Sequence, residues 1–482
     1  MGSLSNPVTP FNVLTDAKPD DTSLPAFMVS TTRGFLPRAD PIVTLPPEFD
    51  PLESILQRMP VKTASGEPGL LAEGKLGNVV LSELPDLTSH IDKYAPNLPL
   101  MNALYRDYSF LLSAFLLEPC HLRFIKGEPY GLARDVLPAN IARPIKRCAE
   151  LYDTPSPPSL LSLLLTLLPQ KERASNPSWN TPAPTPSTTT ASPTPPLASP
   201  TPTSASSARS STGSTPPPPR QASCSCTSPW FNTALGEEML TALRNINRSM
   251  ETMWQKSKPG SYTSFRTFIF GITSQSMFPH GVLYEGIEEY KGERQSFRGE
   301  SGANDSMIPL MDSLLSIPMP ETPLTEILKD FRQYRPSNHR DFIKYVAERQ
   351  DELGIKRWAL GGEEKEEEGR ETRRLWLRLL DQVREFRWRH WCFAREYILK
   401  QTSHPTATGG SPIVTWLPNQ LGAVLAEMEK IYGEGWWEGE AGGGDREGIM
   451  DLWWVPGRGR CLPETVQVRK FCLRIGVLTR LE

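Results

Sequence analysis

Apolar residues recur every three or four positions along much of the chain, and that spacing predicts helices rather than strands. Short helices are predicted at 52–59 and 81–94, joined by a glycine-bearing turn, with residues 1 to about 50 extended over the surface. A longer helix is predicted at 100–117, where Leu104, Tyr108, Leu111, Leu112 and Phe115 share one side, and another at 141–151. Further along, the same pattern predicts helices at 240–254 and 307–315, two within 323–353 parted by a turn at Pro336, and others at 375–400 and 421–432. No run alternates apolar and polar residues convincingly, so the fold class is all-α.

Within 375–400, Trp376, Leu379, Val383, Phe386, Ala394 and Tyr397 form one apolar stripe. His390 falls on that stripe, and Arg387 stands one turn earlier, close to the same face. An inward histidine beside a cation is either a metal ligand whose neighbour neutralises an anionic cofactor, or a core histidine satisfied by a hydrogen bond. Two other charges sit among apolar residues. Arg266 lies inside YTSFRTFIF (262–270) and needs an anionic partner, either a carboxylate of the fold or one on a ligand. Asp312 lies within the apolar segment 308–315 and wants a partner for the same reason. Two glycine loops complete the set. SFRGESGANDS (296–306) carries Ser301 between Gly299 and Gly302, and reads either as a helix cap or as a ligand loop. TSHPTATGGSP (402–412) follows the histidine helix, and its two glycines after Thr408 allow close backbone approach.

Composition changes the picture in one region. The chain has 482 residues and 48 prolines, about twice the usual share of ~5%. Of the 43 residues from 177 to 219, 13 are proline, a density that forbids helix and central strand. Residues 159–229 are therefore expected to be a Pro/Ser/Thr-rich disordered linker. A net charge of −3 gives no electrostatic footprint for nucleic acid or an anionic membrane. Seven cysteines, an odd number, do not make a disulfide framework. The longest apolar run, 160–168, is far short of the ~20 residues that span a bilayer. A cytoplasmic location is the expectation. The turn GLLAEGKL from Gly69 nearly matches a phosphate-binding loop, but Leu76 replaces the hydroxyl that would hold Mg²⁺ and no apolar strand precedes it.

The order FRTFIFGI (265–272), GVLYEG (281–286), FRGESGANDS (297–306), FRWRHW (386–391), EYILKQTSHPTATGGSP (396–412) and TWLPNQL (415–421) resembles the indoleamine 2,3-dioxygenases, most closely those of fungi. TTRGFLPRADP (31–41), the run at 106–120 and LPANIARPIKRCAEL (137–151) resemble the family's N-terminal domain. The resemblance implies an N-terminal arm and small helical domain at 1–158, the linker at 159–229, a larger haem-binding helical domain at 230–451 and an irregular tail at 452–482. It implies a monomer carrying haem b, kept ferrous by an electron donor, that inserts O₂ across the indole C2–C3 bond of L-tryptophan to give N-formylkynurenine. By position His390 resembles the proximal iron ligand, Arg387 a residue pairing with a haem propionate, and Asp312 the carboxylate supporting the proximal histidine. Arg266 resembles the arginine holding the substrate carboxylate, Ser301 the loop serine near substrate and haem, and Thr408 the threonine near the substrate ammonium. Where the family has helices walling the distal side of the haem, this chain has its linker, and none of those distal residues is matched. A haem protein that carries or senses O₂ without turnover is the alternative this departure raises.

Overall fold

The computed structural model of the chain describes residues 11–63, 65–151, 233–299, 305–319, 323–361, 367–402, 404 and 406–433. The predicted linker, the predicted tail and Ser301 lie outside these residues. The described part is helical apart from two two-residue strands.

The first half holds α1 (Asp50–Arg58), α2 (Leu70–Glu73), α3 (Leu76–Glu83), α4 (Thr88–Lys93), α5 (Leu98–Phe124), β1 (Val136–Leu137) and α6 (Ala139–Leu151). The helix predicted at 81–94 is instead two helices, because Pro85 cannot continue the first and biases Leu84 to its extended conformation. Asp86 then accepts from the Thr88 amide at 3.0 Å to start α4. At the start of α5 the Asn97 side chain accepts from the Leu100 amide at 3.1 Å, with a proline in the first turn. Most of α5 is buried on every side, so it serves as the axle of this half. The segment that resembled a phosphate loop is occupied by the protein's own anion: buried Glu118 of α5 accepts from the amides of Leu76 (2.8 Å) and Gly77 (3.1 Å) at the start of α3. Arg134 pairs with the same carboxylate.

The second half holds α7 (Thr233–Glu251), α8 (Met253–Lys256), α9 (Pro259–Arg266), β2 (Leu283–Tyr284), α10 (Met307–Leu314), α11 (Pro323–Gln333), α12 (Ser337–Leu353), α13 (Ile355–Leu360), α14 (Glu367–Ala394) and α15 (Ile413–Gly433). Helix α14 lies between α7 and α15, its two largest packing partners. Its stripe is buried as the spacing predicts, with Trp376, Leu379 and Val383 fully enclosed. The helix ends in one π-helical turn, Arg395–Leu399, anchored by the Tyr397 hydroxyl donating to the Ser257 carbonyl at 2.7 Å.

The halves interlock. Strands β1 and β2 pair in parallel, and Phe268, Phe270, Val282 and Tyr284 of the second half complete the apolar core around α5. In return Val29 is buried in the core around α14, with Phe11 and Phe35 packed against it. The N-terminal arm, expected to lie extended, is wound around one side chain. Arg38 is 1% exposed and donates to the carbonyls of Ala17, Lys18, Asp21, Leu24 and Pro25. Those five acceptors hold the arm as a compact strap. No described helix is long and apolar enough to cross a membrane.

Candidate active site

The site is best built from the helix that carries His390. Apolar residues fix the rotation of α14, and His390 comes one turn after Phe386 and Arg387, which are buried. His390 itself is half-buried. Protein packed around the ring disfavours its charged form and lowers its pKa to about 4, so the imidazole is neutral at physiological pH. The structure records no side chain or backbone group among the described residues hydrogen-bonding it.

Asp312 and Arg387 meet each other. Arg387 Nη2 lies 2.7 Å from both carboxylate oxygens of Asp312, and Nη1 donates to the Gln420 carbonyl at 2.7 Å. Both side chains are buried, and the contact clamps α10, α14 and α15 together. Burial raises the Asp312 pKa, and the Arg387 charge pulls it back. The resemblance had sent these residues in different directions, one to a propionate and one to the histidine. Here each is the other's counter-charge, as buried ions require.

Arg266 has no such partner. Helix α9 opens on Pro259, which suits a first helical position, and delivers Arg266 at its last residue. The side chain is 0% exposed. Nη2 donates to the Thr406 carbonyl at 2.8 Å, and the guanidinium lies 4.7 Å from the Phe270 ring centroid. Nε and Nη1 are buried with no hydrogen-bond partner among the described residues. Of the two anions the sequence left open, a carboxylate of the fold is not found among the described residues.

Three backbone segments meet beside the loop that accepts from Arg266. The Gly271 amide donates to the Thr408 carbonyl at 3.0 Å, and the amides of Ile272 and Thr273 donate to the Phe297 carbonyl at 2.8 and 2.9 Å. A Cβ on Gly271 would sit 1.8 Å from the Gly299 nitrogen, and one on Gly299 would sit 2.2 Å from the Thr408 carbonyl oxygen. Gly299 therefore serves close packing here, as does Gly271, which the sequence reading passed over. The second glycine loop is a tight turn in which Thr406 bridges to Pro412, and Gly410 takes a φ of +88° that favours glycine. Thr408 is buried in this junction.

Two further side chains at the site had no signal in the helical pattern. Gln275 Nε2 donates to the carbonyls of Ala407 (2.7 Å) and Thr408 (3.3 Å). Its Oε1 lies 3.1 Å from His404 Nε2, and the His404 ring packs edge-on against Phe270 and Tyr130. His404 stood within a quoted motif, and a histidine beside a glycine loop was the clue available.

Residues 231–427, which include Arg266, Asp312, Arg387, His390 and Thr408, match the family model described as indoleamine 2,3-dioxygenase. Over those residues the chain is similar to the indoleamine 2,3-dioxygenases. Its relatives include a 6-hydroxytryptophan 2,3-dioxygenase (fscD) of Fusarium equiseti, 29% identical over 119 residues, which is 24% of this chain and 28% of that protein. The indoleamine 2,3-dioxygenase nanC of Aspergillus nanangensis is 29% identical over 110 residues, 22% of this chain and 27% of that one. Indoleamine 2,3-dioxygenase 1 of Mus musculus is 27% identical over 133 residues, 24% of this chain and 32% of that one. The matched stretches thus span about a third or less of these relatives' own lengths. Within the matched stretch, Arg266 keeps two buried nitrogens without a hydrogen-bond partner among the described residues.

Proposed function

We propose that the chain is a haem dioxygenase that adds both atoms of O₂ across the indole C2–C3 bond of L-tryptophan, giving N-formylkynurenine. The observation that carries this reading is Arg266, a buried cation with two unpartnered nitrogens and no counter-ion among the described residues. An amino-acid carboxylate is the group that would satisfy it, through charge-assisted hydrogen bonds that also orient the rest of the substrate. The Phe270 face beside the guanidinium, and the junction of Gly271, Gly299 and Thr408, would exclude water from that ion pair.

The residues present fit a haem. Haem iron already has four porphyrin nitrogens, so one neutral imidazole suffices as protein ligand, and His390 is neutral and without a hydrogen-bond partner among the described residues. Bound haem would supply the capture and activation of O₂, chemistry that no amino-acid side chain performs. On this reading Thr408, in the loop beside Arg266, faces the substrate, and Ser301, outside the described residues, would do so by resemblance alone. Arg387 meets a propionate and Asp312 supports the proximal side. Since Asp312 already neutralises Arg387, a propionate would join an existing pair rather than meet a free cation.

The test is to load the purified full chain with haem, supply an electron donor, O₂ and L-tryptophan, and identify the product by mass spectrometry. N-formylkynurenine is the result expected. A haem spectrum with no tryptophan-derived product would overturn the reading in favour of an O₂-binding protein without turnover.

A further inference from the structure

Three successive carbonyls of the second glycine loop, those of Thr406, Ala407 and Thr408, all point to donors from one short stretch of the chain. Arg266 serves the first, Gln275 the second, and Gln275 together with the Gly271 amide the third. Gln275 is 4% exposed, and its amide orientation is fixed by those carbonyls, since only nitrogen can donate to them. Its Oε1 must therefore be the atom facing His404, which makes His404 Nε2 the donor of their 3.1 Å hydrogen bond. One side chain thus fastens the loop at three points: two carbonyls at its crest and a histidine on its incoming limb. Among the described residues, Arg266 is held in place by hydrogen bonding to the Thr406 carbonyl alone. The position of the loop consequently sets where the unpartnered nitrogens of Arg266 lie.

We propose that Gln275 is a positioning residue. It latches the loop over Arg266 and so sets the affinity of the site for a substrate carboxylate, without touching substrate itself. This inference rests on the reading that Arg266 binds a carboxylate. Three features distinguish it from a general packing role. The contacts are polar and directional, they converge on a loop rather than a helix, and they need both ends of the amide at once.

The experiment compares wild type with Gln275→Ala and Gln275→Glu, the latter keeping the shape and the acceptor but losing the donor. Hydrogen exchange over 406–412 is measured in the haem-free chain, so that the latch is judged independently of turnover. Both variants are expected to exchange faster in that loop, where Ala407 and Gly410 amides are bonded internally, while exchange in α15 stays unchanged. In the haem-loaded chain, KM for L-tryptophan is expected to rise about tenfold or more, with kcat within about twofold. Unchanged loop exchange, or equal acceleration throughout α15, would overturn the latch. Accelerated loop exchange with a fallen kcat and an unmoved KM would overturn the link to carboxylate affinity. If wild type forms no product at all, the functional reading fails, while the exchange result still decides the latch.

Discussion

Arg266 differs from three other buried charged groups in what surrounds it. Asp312 has Arg387, Glu118 has Arg134 and two amides, and Arg38 has five carbonyls, whereas Arg266 keeps two bare nitrogens. An uncompensated buried cation works against folding. Arg266→Met is thus expected to leave the melting temperature unchanged or higher. In the same variant KM for L-tryptophan should rise about 10- to 150-fold, the worth of a charged hydrogen bond of about 1.5–3 kcal/mol. Tryptamine, which lacks the carboxylate, should distinguish wild type from variant far less. His390→Ala is expected to abolish the haem spectrum of the loaded chain while its far-ultraviolet circular dichroism is retained. Acid lability belongs at this scale too. Burial depresses the pKa of His390 to about 4 and of His339 to about 3, from an ordinary 6.5. A depressed pKa stabilises the fold fully above about pH 6.5, and that contribution is lost as pH falls toward the folded values. Urea unfolding of the haem-free chain should therefore show stability falling from pH 6.5 to 4, with a shallower slope in His339→Gln.

At the scale of elements, what the sequence made legible was whatever depends on local spacing. The buried stripe of α14, the long α5 and the break at Pro336 follow from periodicity and from proline, and the structure contains all three. The stretch 262–270 was read only as apolar and aromatic. It is a helix end running into a 3-10 turn, because Pro259 starts the helix before the aromatic run begins. Partners distant in sequence were not legible: periodicity places Arg387 on an inward face but cannot say that Asp312, 75 residues away, meets it. The glycines make the same point. A helix cap or a ligand loop was the sequence's reading of the Gly299 segment, yet that glycine is needed because two other backbones leave no room for a Cβ. Gly271→Ala should accordingly cost about 1–3 kcal/mol, the usual penalty for overpacking, read as a lower urea midpoint. It should also raise KM, since the displaced segment is hydrogen-bonded through the Gly271 amide to the loop that holds Arg266.

Across the whole molecule, the two halves share their cores, so the site is braced from both. The segment that leaves Arg266 runs directly into the core around α5, and the arm gathered on Arg38 packs against α12 through Phe11 and Phe35. The expectation of a surface-lying arm missed this because its prolines and aspartates suggest exposure, while a single arginine supplies the buried donors. Helical class was legible from the chain, whereas the meeting of the Gly271, Gly299 and Thr408 segments was not. The account's central claim is that this assembly holds tryptophan for the addition of a whole O₂ molecule. The most direct measurement is the isotope content of the product formed by the haem-loaded chain from L-tryptophan under ¹⁸O₂. The account predicts N-formylkynurenine carrying two heavy oxygens. A product carrying one or none, or no tryptophan-derived product from fully loaded protein, would contradict it.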